Sequence, residues 1–303
     1  MKWFNNILSK MVPHMPRFAV GIVAKKYIAG VTLDETVVAI KKLNEDGFLT
    51  TTDILGENIP DIEASQKPVN AYLELLDTIK ECNLNSGISV KLSQLGLTHD
   101  IEMAWDNFQK IINKAKNLNI FVRIDMEDSP WTDHTLGFYR RARTEYQNIG
   151  TVIQAYLFRS NIDIKEMIMD GKTNLRICKG IYKEPKDISM HDRSEISNNF
   201  FNLVKLCLDN HAFVGIATHD LELIERCKIY IYEQNITKDK YEFQALLGVP
   251  VRNTLKRLVS EGHQVRYYVP FGEDWYAYSM RRLKENPDIA GYVFKDLFNI
   301  FHK

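Results

Sequence analysis

Short runs rich in β-branched residues alternate with longer amphipathic runs along this chain, and the short runs number eight. They are Leu49–Ile54, Ile88–Leu92, Ile120–Asp125, Thr151–Leu157, Asn174–Cys178, Phe213–Thr218, Tyr241–Leu246 and Val265–Val269, with starts 23 to 39 residues apart. That interval holds one helix and two loops, the arithmetic of repeated βα units joined into a parallel sheet. The stretch from Asp192 to Asn210 shows the helical half, with Ile196, Phe200, Phe201, Val204, Leu206 and Leu208 spaced as a buried stripe. Eight such units predict an α/β chain folded as a closed, TIM-like (βα)8 barrel. An open doubly wound sheet would more often carry a Gly-x-Gly-x-x-Gly turn after its first strand, and the chain has none. No low-complexity linker interrupts it, so the expected organisation is an N-terminal helical extension over residues 1–45 and the barrel over 46–303.

Composition narrows the function classes. Of 303 residues, 45% are hydrophobic and 26% charged, which is ample apolar material for one large core. Lys+Arg and Asp+Glu balance at 39 each, so no global field recruits nucleic acid. Cys82, Cys178, Cys207 and Cys227 stand too far apart for a CxxC pair or a zinc knuckle, and read as reduced thiols of a cytoplasmic protein. The first 30 residues mix Trp3, Phe4, Ile7 and Leu8 with Lys2, Lys10, Arg17, Lys25 and Lys26, and Pro13 and Pro16 break them, which makes a poor signal peptide. Such a start suits a packed helix, with a peripheral contact at the inner face of a membrane as the alternative. No run of 18 apolar residues is present to span a bilayer.

A barrel of this class carries its chemistry at the carboxyl ends of the strands, so the polar residues there are the candidates. Lys91 interrupts an apolar and small-residue strand end, Ser89-Val90-Lys91-Leu92-Ser93, and suits catalysis, anion binding or mere snorkelling to solvent. The third strand hands over through Arg123-Ile124-Asp125-Met126-Glu127-Asp128, three acids that could hold Mg²⁺, cap a helix or, as we prefer, act as counter-ions for nearby Lys and Arg. Gln154 is a buried-strand amide that must find partners. Arg176, Cys178 and Lys179 lead into Gly180, where a backbone can approach a flat ligand. Thr218, His219, Glu242, Gln244, Leu246, Tyr268 and Pro270 complete a polar mouth with apolar and aromatic walls. Further on, Tyr278, Arg281, Arg282 and Glu285 fall on one face of a predicted helix, and the paired guanidiniums suit a small carboxylate. With no Gly-x-Ser-x-Gly, His-Glu-x-x-His or P-loop present, the candidate nucleophiles are Lys91 and Lys179, either of which could form a Schiff base. A lysine-dependent lyase and a non-catalytic amino-acid-binding protein therefore stay open.

Seven motifs in sequence order resemble the FAD-dependent proline dehydrogenase family. They are Ser-Val-Lys-Leu-Ser at 89–93, Arg-Ile-Asp-Met-Glu-Asp at 123–128, Gln-Ala-Tyr-Leu at 154–157, Arg-x-x-Lys-Gly-x-Tyr at 176–182, Ala-Thr-His at 217–219, Glu-Phe-Gln-x-Leu at 242–246 and Tyr-x-x-Arg-Arg at 278–282. The resemblance runs from about residue 49 to about 290 and is nearest to short monofunctional bacterial members. It implies a distorted (βα)8 barrel that seats FAD at its mouth and oxidises L-proline to Δ1-pyrroline-5-carboxylate by hydride transfer to flavin N5. By resemblance, Lys91, Arg281 and Arg282 hold the proline carboxylate, while Tyr268, Tyr278 and Leu246 wall the ring. Asp125 organises the charges, Arg176 approaches N5, and Gln154 lies beside the isoalloxazine. Met126, Lys179, Gly180, Ile181, Thr218, His219 and Glu285 match other cofactor contacts. Ile181 departs from the alanine common there, and Lys183 from a tryptophan of the larger bifunctional members. The family also implies a quinone-type electron acceptor and a separate pyrroline-5-carboxylate dehydrogenase downstream. Hydroxyproline oxidation is a rival within the same chemistry, disfavoured by Tyr268 because an extra hydroxyl needs room and a polar partner at that wall.

Overall fold

Eight parallel strands close into a barrel in which each pairs with the next and the eighth returns to the first. The computed structural model describes residues 17–285; the side chains of 17–19, 22, 23 and 281–285 lie outside that description. The strands are β1 Leu49–Ile54, β2 Ser86–Val90, β3 Val122–Ile124, β4 Ile149–Gln154, β5 Asn174–Cys178, β6 Phe213–Ala217, β7 Tyr241–Leu246 and β8 Val265–Phe271. Helices α1 Arg17–Tyr27 and α2 Leu33–Glu45 precede the barrel. One α-helix then follows each strand: α3 Gln66–Glu81, α4 Ile101–Leu118, α5 Thr132–Arg143, α6 Ser160–Met169, α7 Arg193–Asp209, α8 Leu221–Glu233, α9 Arg252–Ser260 and α10 Trp275–Glu285.

Local chemistry sets the helix starts. Thr32 and Glu35 form a reciprocal capping box on α2, while Asp100, Asp192 and Asp220 accept from the first free N–H groups of α4, α7 and α8. Alternate strand residues such as Ile88, Val90, Val122, Ile124, Leu175, Ile177, Val214, Ile216 and Phe243 join Ile111, Leu136, Val204 and Leu255 of the helices in one apolar core. That core lies between the sheet and its surrounding helices. The lumen is different. Bonds from Asp125 after β3 to Arg176 of β5, from Arg176 to Gln244 of β7, and from Tyr268 of β8 to Asp125 join strands that are not neighbours, so they can only cross the inside of the barrel. Barrel interiors are usually filled by layers of branched aliphatics; this one is filled by charge.

Strands β1, β5 and β7 match their predicted limits, and the other five shift. Ile120 closes α4 by donating to Ala115 O after Asn119 turns left-handed at φ 56°, so β3 starts later. Asp125 lies one residue past β3, although its N–H still reaches Val90 O at 2.9 Å. β4 begins two residues earlier than expected and runs through Gly150, where a Cβ would stand 2.3 Å from Arg123 Nη1. Lys91 similarly follows β2, at the entry to the short 3₁₀ turn Leu92–Leu95. The end of α1 is stitched to the far end of the barrel: Ala29 N donates to Pro270 O at 2.9 Å, and Gly272 N to Gly30 O at 3.2 Å. α10 packs along α1 at the same rim.

Candidate active site

The lumen charges gather at the carboxyl end around Asp125, which is buried and accepts from Ser89 Oγ at 2.6 Å, Arg176 Nη1 at 2.9 Å and Tyr268 OH at 2.8 Å. Lys91 Nζ reaches the same carboxylate at 3.8 Å and lies 2.8 and 2.9 Å from the two oxygens of Asp53. Its third neighbour is Tyr268 OH at 3.2 Å. Tyr268 thus accepts from the lysine and donates to Asp125, while its ring lies 5.3 Å from the Arg176 guanidinium. Four residues singled out from the sequence, Lys91, Asp125, Arg176 and Tyr268, are brought into one cluster.

Electrostatics sort these groups. Burial works against the charge on Lys91, yet Asp53 and Asp125 outweigh it and raise the ammonium above its usual range. Burial likewise opposes ionisation of Asp125, but Arg176 and Lys91 hold its carboxyl below the usual range. Asp53 is pushed up to about 6, chiefly by burial, with Lys91 opposing and Asp125 adding to the rise. Burial, with the acids beside it, keeps the Tyr268 phenol protonated. Deeper in the lumen, Arg123 donates to the carbonyls of Thr151 and Asn174, and burial first, then Arg176, lowers it to about 9.

The remaining candidates make their described contacts with other residues, at or after the ends of β3 to β6 and on α10. Gln154 ends β4 and donates to Glu127 O at 2.9 Å, and Met126 is buried beside the turn after β3. Lys179 reaches Asp220 at 2.8 Å, the carboxylate that also caps α8. Gly180 has φ 104°, and a Cβ there would stand 2.3 Å from the Tyr156 ring, so the backbone lies flat against it. Thr218 Oγ1 accepts from Asp220 N, and His219 Nε2 accepts from the backbone N–H of Leu246 at 3.0 Å. Tyr278 is buried on α10. The side chains of Arg281, Arg282 and Glu285 lie outside the described residues. The three acids after β3 part company: Asp125 faces the lumen cations, Glu127 accepts from Ser93 N at 2.9 Å, and Asp128 makes no side-chain cap.

Sequence reasoning missed Asp53, the closest partner of Lys91, and read Glu242 and Gln244 only as strand-end polar groups. The signal was present as polar residues two apart in strands otherwise rich in apolar residues, as in Arg123-x-Asp125, Glu242-x-Gln244 and Arg266-x-Tyr268.

Whether these residues suit a flat, electron-accepting group is tested by two features. Arg176 Nη2 is buried without a hydrogen-bond partner among the described residues, and the Gly180 backbone is kept low by its left-handed turn. An unsatisfied buried donor and, four residues along the same strand end, a backbone free of a side chain are the two kinds of surface an acceptor-edged planar ligand needs.

A closed (βα)8 barrel with cations, a phenol and an orphaned donor converging at the strand ends has the architecture of a barrel enzyme. The chain matches the proline dehydrogenase family over residues 36–294 and belongs to it; it is an oxidoreductase acting on proline. It is 39% identical over 279 residues to proline dehydrogenase 1 of Bacillus subtilis (strain 168), covering 90% of each chain. Proline dehydrogenase of Deinococcus radiodurans is 33% identical over 279 residues, covering 90% of this chain and 89% of that one. Among solved structures, proline utilization A of Bdellovibrio bacteriovorus inactivated by N-propargylglycine superposes with TM-score 0.81 at 25% identity. The match covers 87% of this chain and 32% of that protein, so the chain spans about a third of its length.

Proposed function

We propose that this chain oxidises L-proline to Δ1-pyrroline-5-carboxylate with bound FAD, within a unit made of residues 46–303 preceded by the helices of 1–45. The observation that carries the reading is the cluster of Lys91, Asp125, Arg176 and Tyr268 at the mouth of a barrel of this family. Proline loses a hydride from the ring carbon next to nitrogen and a proton from nitrogen, and FAD supplies the hydride acceptor at N5. Gln154, Arg176, Met126, Thr218, His219, Glu285 and the Lys179–Ile181 backbone are the residues that would hold the cofactor. Lys91, with Arg281 and Arg282, holds the substrate carboxylate, and Tyr268, Tyr278 and Leu246 fix the face of the ring. Orientation of a very small substrate is the main contribution of these side chains. Arg176 favours negative charge building opposite its free Nη2. Asp125 keeps both Arg176 and Tyr268 in place.

The rival readings fare worse. Lys91 is held charged between Asp53 and Asp125, so it is not the neutral amine a Schiff-base lyase needs, and Lys179 is engaged by Asp220. Hydroxyproline would need a free polar partner at the Tyr268 wall, and that hydroxyl is spent on Asp125 and Lys91. Electrons pass on to a quinone-type acceptor and the product to a separate pyrroline-5-carboxylate dehydrogenase. Among the described residues no helix is long and apolar enough to cross a membrane, and the proposed setting is the cytoplasm with a peripheral contact at the membrane's inner face. The test is direct: the purified protein is expected to be yellow and to bleach anaerobically with L-proline, more slowly with trans-4-hydroxy-L-proline. A colourless protein, or one that proline leaves yellow, removes the reading.

Asp53 gives the site a pH response. As pH falls through about 6 this acid takes a proton, and Lys91 keeps its charge with one counter-ion fewer. The attraction for a carboxylate then rises, by about 1 to 2 kcal/mol once solvent at the open mouth lifts the effective dielectric above the value of about 20 typical near a protein surface. Cyclopentanecarboxylate, which has no amine to titrate, is therefore expected to inhibit about fivefold more tightly at pH 5.5 than at 7.5. The same measurement on Asp53→Asn should be flat; an unchanged slope assigns the titration elsewhere. Linkage to stability has the matching sign. A raised carboxyl favours the fold below its unfolded value and loses that contribution as pH rises through about 6, whereas the depressed Asp125 and Glu242 lose theirs as pH falls.

A further inference from the structure

Arg176 has two of its nitrogens fixed by the protein: Nε donates to Gln244 Oε1 at 2.7 Å and Nη1 to Asp125 Oδ1 at 2.9 Å. The guanidinium is planar, so two bonds on two edges set where the unpartnered Nη2 points. The bond to Asp125 is secure, because a carboxylate accepts with either oxygen. The bond to Gln244 is not, since an amide fits its space equally well with nitrogen and oxygen exchanged. Reversed, it would set a donor against a donor.

The residue that decides the orientation lies deeper in the lumen. Glu242 Oε1 accepts from Gln244 Nε2 at 2.5 Å, and a carboxylate can only accept, so the amide oxygen must face Arg176. Glu242 is in turn anchored by Arg266, whose Nε donates to it at 2.7 Å and whose Nη1 donates to Thr50 O at 2.8 Å. Glu242 and Gln244 are both buried, and Gly215 leaves the space they need, because a Cβ there would stand 2.4 Å from Gln244 Nε2.

We propose that Glu242 is a positioning residue for proline oxidation: by orienting the Gln244 amide it fixes the plane of Arg176 and so the aim of Arg176 Nη2. The inference rests on the function proposed above and assigns Glu242 no contact with substrate or cofactor. Glu242→Met is expected to lower kcat for proline at least about tenfold, with KM changed less than about threefold. Adding Gln244→Glu should recover most of the loss, because a carboxylate at 244 accepts from Arg176 whichever way it is turned. Nitrogen-15 spectra of the arginine side chains give a readout independent of turnover. The Arg176 Nε–H signal, identified by its loss in Arg176→Lys, should shift and exchange faster in Glu242→Met and return in the double variant. Should Glu242→Met fail to fold, Gln244→Leu keeps the Glu242–Arg266 pair and must show the same loss of kcat. Parent-like kcat in the folded variants, or a defect the double variant does not recover, overturns the inference. Absence of proline oxidation in the parent protein would instead overturn the proposed function.

Discussion

Lys91→Met is expected to lower kcat/KM for proline at least about a hundredfold, or about 2.7 kcal/mol, and to destabilise the fold by about 3 to 5 kcal/mol at pH 8. The ammonium is the nearest cation to the buried carboxylate of Asp53, at 2.8 Å, and lies 3.8 Å from that of Asp125, and methionine fills its volume without its charge. Asp53 would then be a buried anion lacking its partner. Because burial already lifts that acid to about 6, loss of the lysine drives it up further and a proton resolves the conflict at low pH. The stability deficit should therefore shrink between pH 8 and pH 5.5, and Asp53→Asn in the same chain should remove most of it. Thermal denaturation of the parent and the two variants across that range checks the claim; a deficit that does not depend on pH would show that Lys91 contributes packing rather than charge.

Asp125→Asn should abolish proline turnover more completely than it affects stability, with kcat/KM down about a hundredfold to a thousandfold. This carboxylate accepts three bonds at once, from Ser89, Arg176 and Tyr268. An amide of the same shape has one acceptor oxygen, so its NH₂ must meet the hydroxyl of Tyr268 or the Nη1 of Arg176, and one of them turns away. Tyr268→Phe removes a single bond from the same group and is expected to cost only about tenfold. Steady-state kinetics with proline separate the two outcomes; equal losses in both variants would make Asp125 a partner of Tyr268 alone.

The barrel was legible because its outward strand faces are β-branched and its helices amphipathic, so β1, β5 and β7 could be delimited from the sequence. Limits failed where a neighbour intervened, as at Gly150, whose place inside β4 is explained only by the Arg123 guanidinium lying across it. The site was partly legible for a related reason. Lys91 and Arg176 stand out as charges in apolar strands, and Asp125 as an acid at a strand end. Asp53 ends a run of three threonines that reads as an ordinary edge, and nothing local shows that Lys91 folds onto it. Pairing across a lumen depends on barrel register, as in the opposition of Asp53 and Ser89, and register belongs to the closed sheet.

The rim where α1 meets α10, beside the ends of β7 and β8, bears on how the molecule is made. During synthesis, α1 and β1 leave the ribosome long before their partners α10 and β8 exist. Until those arrive, β1 has an open edge toward its missing neighbour, and the lumen's acids and bases stand in water. Closure of the barrel between β8 and β1 consequently waits until β8 has been made, and a stall late in translation would leave a sheet that is nearly whole yet unsealed and prone to pair with a second copy.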